Sequence, residues 1–133
     1  IVTLICYEIL FSTEVNKRIF KNTKLLINIT NDAWFGRTVG PHQHLALAKI
    51  RAVELGLPLV RVANTGISGL ISPYGSEIVT IPINEEGVRH TNLIPPLELT
   101  MYKKFGEYIF LISILYFLFI NYLMLFNFRK KNQ

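Results

Sequence analysis

The sequence predicts an α/β domain built on a mixed sheet, followed by one long apolar helix. Three observations carry this. Short β-branched runs alternate with helix-compatible stretches through the first 63 residues, the pattern of parallel strands joined by crossover helices. Turn residues then separate further short runs at hairpin spacing. Last, IFLISILYFLFINYLMLF, from Ile109 to Phe126, contains no charge. At 133 residues, half of them apolar and with mean hydropathy +0.35, the chain has room for one globular unit and this apolar stretch.

Val2 to Ile5 reads as a buried strand, with Cys6-Tyr7-Glu8 at its C-terminal end. Ser12 is placed to cap a helix over about residues 13–21, with Glu14 in the first turn where the helix dipole favours a carboxylate. Lys24 to Thr30 is a second buried strand, closed by the turn residues Asn31 and Asp32, and residues 33–40 form a glycine-bearing loop. Pro41 suits a first helical turn. Leu45, Ala48, Ala52 and Leu55 then make one apolar stripe, with Lys49, Arg51 and Glu54 away from it. Gly56 closes that helix and Pro58 blocks its continuation. Leu59 to Ala63 is a third strand. Ser68–Ser72 and Glu77–Ile83 flank Pro73-Tyr74-Gly75-Ser76 as a hairpin, and Val88 to Ile94 is a last strand before Pro95-Pro96.

The stretch 109–126 rises about 27 Å as a helix, close to the hydrocarbon thickness of roughly 30 Å, and lacks a core helix's polar stripe. It is expected to cross a membrane. Arg129, Lys130 and Lys131 follow it, against a smaller net positive charge at Lys103, Lys104 and Glu107. The positive-inside rule then places the C-terminus in the cytoplasm and the α/β domain on the other side. The net charge of +5 does not indicate nucleic-acid binding. The basic residues are scattered, three of them flank the apolar stretch, and no aromatic-interleaved basic stripe or base-reading motif is present. A single cysteine excludes an internal disulfide. A chain that opens on a strand leading straight to Cys6 is expected to be part of something longer.

Cys6 has two readings. A lone cysteine is commonly a small buried hydrophobe, but sites in parallel sheets form at the C-terminal ends of strands. A thiol there becomes a nucleophile once a base or cation activates it. Asn31, Asp32, Trp34 and Phe35 follow a second strand end on the same rim, as a turn with packed aromatics or as the wall of a site. Arg61, Asn64 and Thr65 lie at a third strand end, placed to tie the rim by hydrogen bonds. His42 and His44 do not form a metal pair, because His-x-His at a helix start points the rings apart and no carboxylate sits at a suitable offset. No metal or cofactor is expected.

The ordered blocks ICYE, INITNDAWFG and GPHQHLALAKIRAVELGLPLVRVANTGISGLISPYG resemble the C-terminal part of the bacterial apolipoprotein N-acyltransferase family, within the carbon–nitrogen hydrolase (nitrilase) superfamily. The resemblance covers roughly residues 1–95, with an apolar helix in the expected place after it. It implies the C-terminal part of a nitrilase-like αββα sandwich over residues 1–95, a connector over 96–108, a transmembrane helix over 109–126 and a basic cytoplasmic tail over 127–133. It implies residence in the bacterial inner membrane, the α/β domain being periplasmic. Cys6 matches the family's nucleophile, which takes an acyl chain from a phospholipid as a thioester and passes it to the α-amino group of a diacylglyceryl-cysteine lipoprotein. Tyr7 and Glu8 match positions that support the site, and Trp34 and Phe35 match an aromatic block that meets substrate. The Glu and Lys of the family's Glu-Lys-Cys triad have no matching position here, so the chain is expected to be inactive without an N-terminal partner half. A membrane-tethered nitrilase-like amide hydrolase and a non-catalytic remnant of a split gene are the competing readings. Requirement for phospholipid separates transfer from hydrolysis.

Overall fold

The computed structural model describes residues 1–131, and side chains through Met124. The chain divides into two compact units, Ile1–Thr100 and Met101–Gln133.

The first unit is a five-stranded mixed sheet. Strands β1 (Val2–Ile5), β2 (Leu26–Asn31) and β3 (Leu59–Asn64) run parallel, and β4 (Ser68–Ile71) and β5 (Glu77–Ile81) continue the sheet antiparallel, in the order β1-β2-β3-β4-β5. The predicted α/β sheet with an antiparallel edge is thus present. Each parallel pair is joined through a helix, α1 (Ser12–Arg18) and α2 (Gly40–Leu55), as parallel pairing requires.

Strand alternation divides the sheet into two faces. Val2, Leu4, Leu26, Leu59 and Ile71 pack with Ile9, Val15, Leu45, Ala48, Ala52 and Leu55 into one core, so both helices cover the same face. The other face carries Ile5, Ile29 and Val62 side by side, at 53%, 47% and 52% exposure.

Several elements differ in detail from the sequence expectation. The first helix ends at Arg18 rather than near residue 21, because Ile19 turns extended and packs onto the core. Its cap position is Phe11, and Ser12 is its first residue. In α2 the predicted stripe is buried, and Gly56 closes the helix in left-handed geometry at φ 62°. Arg51, however, lies among the buried residues, its Nε donating to the Ile9 carbonyl at 3.1 Å and its guanidinium paired with Glu54. The whole side chain is enclosed, and these two partners satisfy its charged head. The hairpin forms around Ser72, whose Oγ accepts from Tyr74 and Ser76 N–H groups. Residues 88–94 form no strand. They run beside the outer face of β3 to β5 and line a hollow of about 620 Å³ with it, while Val88 and Leu93 stay exposed.

The second unit holds α3 (Met101–Phe105) and α4 (Tyr108–Lys131). Among the described residues no helix is long and apolar enough to cross a membrane, so the structure does not show the expected span over 109–126. Leu125 and Phe126, its last two residues, and the tail 127–133 lie outside the residues whose side chains are described. From Phe110 to Phe119 the described side chains of α4 are overwhelmingly apolar, and most are exposed.

Candidate active site

Cys6 sits where β1 ends and a 3-10 helix, Cys6–Leu10, begins. Its backbone is left-handed, φ 47°. An L-residue there crowds its Cβ against the following carbonyl, so neighbouring groups must hold it. Two sets of hydrogen bonds do. On one side the Glu8 carboxylate accepts from the Ile5 N–H at 2.7 Å and takes both arms of the Arg18 guanidinium, at 3.2 and 2.9 Å. Arg18, and then the Ile5 N–H, hold the Glu8 carboxyl below the usual carboxylate range. On the other side Asn28 donates from Nδ2 to the carbonyls of Leu4 and Cys6, both at 3.2 Å.

Beyond β2 the chain turns through a second 3-10 helix, Asp32–Phe35, capped by Asn31, whose Oδ1 accepts from the Ala33 N–H at 3.1 Å. That turn brings the aromatic block to Cys6. Cys6, Tyr7, Thr30, Asn31, Trp34, Phe35 and His44 line one pocket of about 160 Å³. Trp34 stands 84% exposed at its mouth. Of Cys6, Tyr7, Glu8, Trp34 and Phe35, the five residues matched to the family, four therefore share a wall, as does Asn31. Glu8 does not; it lies beside Arg18, Phe11 and Val15.

Behind the pocket lies a buried polar cluster that the sequence reading did not assemble. Asp32 accepts from Arg61 Nη2 at 2.7 Å through one oxygen. Its other oxygen faces His44 Nδ1 at 2.9 Å and Thr30 Oγ1 at 3.3 Å. Arg61 also donates to the Asn28 side-chain oxygen. The His44 ring stacks on Tyr7 with centroids 5.1 Å apart and meets Phe35 edge-on. Burial, and then the Arg61 charge, depress the His44 pKa, against the opposing pull of Asp32 and the Cys6 backbone. Burial also lowers that of Arg61, with Asp32 opposing. Among the described residues, His44 Nε2 and Arg61 Nε lack hydrogen-bond partners. A polar residue inside each apolar strand run, Asn28 in LLINIT and Arg61 in LVRVA, was the available signal. Arg61, expected at the rim, is fully buried. Asn64 does bond across the rim, to Asn31 at 3.2 Å.

Gly66 completes the cluster, because a Cβ there would collide with the Asp32 carboxylate.

The profile of the carbon-nitrogen hydrolase family matches residues 1–103. The chain belongs to the carbon-nitrogen hydrolase family. The curated relatives of this carbon-nitrogen hydrolase include proteins named apolipoprotein N-acyltransferase. The match to the one of Bradyrhizobium diazoefficiens is 45% identical over 104 residues, 78% of this chain and 19% of that protein. The match to that of Rickettsia prowazekii is 41% identical over 127 residues, 91% of this chain and 24% of that protein, and so extends past residue 103. The chain thus spans about a fifth to a quarter of the length of these relatives. In fold it is similar to an amidase from Nesterenkonia, with a TM-score of 0.51 at 23% identity, over 62% of this chain and 33% of that one. No group of histidine, cysteine and carboxylate side chains among the described residues could hold a metal ion.

Proposed function

We propose that this carbon-nitrogen hydrolase chain carries the nucleophile-bearing part of an apolipoprotein N-acyltransferase, with Cys6 as nucleophile. One observation supports this above others: Cys6 lies at a strand's C-terminal end, in left-handed backbone, on the wall of a pocket shared with Tyr7, Trp34 and Phe35. A deprotonated Cys6 thiol attacks the ester carbonyl of a phospholipid, forming a thioester as lysophospholipid leaves with the proton. The α-amino group of a diacylglyceryl-cysteine lipoprotein then attacks that thioester. An amide forms and the thiol is regenerated, so one hard transfer becomes two easier ones. Trp34 and Phe35 receive the acyl chain, while Tyr7 and Glu8 support the Cys6 turn.

The glutamate and lysine of the triad come from a nitrilase-like half packed on the outer sheet face. The exposed row Ile5, Ile29 and Val62 favours this, since an apolar sheet face of this kind is ordinarily covered by a second layer. The apolar stretch 109–126 is the membrane segment. Its supports are the exposed Phe110, Leu115, Phe117 and Leu118 and the absence of charge in the stretch. The site then faces the periplasm of a bacterial inner membrane.

The test is mass spectrometry of Cys6 after incubation with phosphatidylethanolamine vesicles, with and without a co-expressed N-terminal half. A thioester that forms only with that half, is discharged by a diacylglyceryl lipopeptide and is absent in Cys6→Ala supports the reading. Turnover of simple amides without lipid would favour hydrolysis instead.

A further inference from the structure

Leu4, Asn28 and Arg61 stand side by side across β1, β2 and β3, one buried cross-strand row beneath the sheet surface. Leu4 contributes apolar packing, and the other two are polar. We propose that Asn28 and Arg61, anchored by Asp32, are positioning residues that clamp the backbone of Cys6 in its left-handed conformation and so aim its thiol into the pocket. This rests on the reading of Cys6 as nucleophile.

The chemistry of the groups fixes the direction of the clamp. A guanidinium has donors and no acceptor, so the Asn28 side-chain oxygen must face Arg61. The amide nitrogen is thereby forced toward β1, where it spans the carbonyls of Leu4 and Cys6 at 3.2 Å each. These two carbonyls bracket Ile5, the last residue of β1, so the clamp holds both the strand end and the turn. Arg61 is held in turn by Asp32 Oδ2 at 2.7 Å. The second Asp32 oxygen is engaged by His44 and Thr30, and His44 supports Tyr7, the residue next to Cys6, by ring stacking. Cys6 is thus approached through its own carbonyl and through its neighbour's ring. Asn28, Asp32 and Arg61 do not line the pocket; Asn28 acts on the thiol through the backbone, and the Arg61 charge also interacts with Cys6.

Asn28→Asp tests the clamp. It keeps the shape and the acceptor facing Arg61 but removes the donor to the two carbonyls. Arg61→Lys is the second variant, keeping the charge and losing the fork. Leu55→Ala, at the far end of α2, serves as an equally core-directed comparison. Two rates are read on the full chain with its N-terminal half: acyl-thioester formation, and alkylation of Cys6 by iodoacetamide, which needs no acyl chemistry. Both clamp variants are expected to lower the maximal rate of thioester formation at least tenfold, with the half-saturating phospholipid concentration within twofold. Alkylation is expected to slow roughly tenfold as well, while Leu55→Ala lowers the melting temperature and leaves alkylation unchanged. Unaltered alkylation in either folded clamp variant would overturn the proposal, as would equal slowing in Leu55→Ala. If Cys6→Ala retains transfer activity, the nucleophile reading fails while the alkylation result still decides the clamp.

Discussion

Gly66 and His44 show how closely single residues are fitted at the site. A methyl group at position 66 would push the Asp32 carboxylate away from Arg61. Gly66→Ala is therefore expected to destabilise the first unit by about 1–3 kcal/mol, and chemical denaturation would show it. Asp32→Ala is expected to cost more, about 3–5 kcal/mol, because it strands the buried Arg61 charge. His44 sets a pH dependence. It faces Asp32, Arg61, Tyr7 and the Cys6 backbone, and its folded pKa lies below the ordinary 6.5. The unfolded chain therefore binds its proton more readily than the folded one. Its contribution is fully present above pH 6.5 and is lost as pH falls through the depressed folded value. Denaturation midpoints measured between pH 5 and 6.5, where histidine titrates, are expected to decline in the native chain and to decline less in His44→Phe.

At the level of elements, the sequence was most informative where a local rule governs. The stripe along α2, the left-handed Gly56 and the tight turn about Pro73 to Ser76 each follow from residues a few positions apart. Gly56 adds a tertiary constraint, because a Cβ there would press on Thr100 and Leu97, and its carbonyl accepts from the Leu97 N–H at 2.8 Å. Gly56→Ala is expected to cost more than the roughly 1 kcal/mol of left-handed strain alone, a loss readable as a lowered melting temperature. What eluded sequence reading is what depends on the third dimension. Residues 88–94 follow a turn and read as a strand, but find no ladder beyond β5. Arg51 reads as a solvated charge, yet the Ile9 carbonyl and Glu54 draw it inward.

Over the whole molecule, Cys6, Tyr7, Trp34 and Phe35 were legible as a group because two parallel strand ends must share a rim. The cluster behind them was not, since it joins Asn28 and Asp32 to His44 and Arg61 from three separate stretches brought together by register and packing. The outer sheet face belongs to this scale too. Val62→Lys, in the middle of the exposed row, is expected to leave the stability of this chain within about 0.5 kcal/mol, as surface changes usually do. It is also expected to weaken capture of the N-terminal half in a pull-down.

The mixed order of the sheet also bears on how the site comes into being. The β4–β5 hairpin closes a loop of a few residues, whereas β1–β2 and β2–β3 each bring together segments separated by a crossover helix. Local pairings form fastest and distant ones wait on loop closure. Pulse-labelling hydrogen exchange during refolding is expected to protect Val79 before Leu4. The turn at Cys6 is then expected to be among the last parts of the unit to be set, with the thiol reaching its place after the rest of the fold has closed around it.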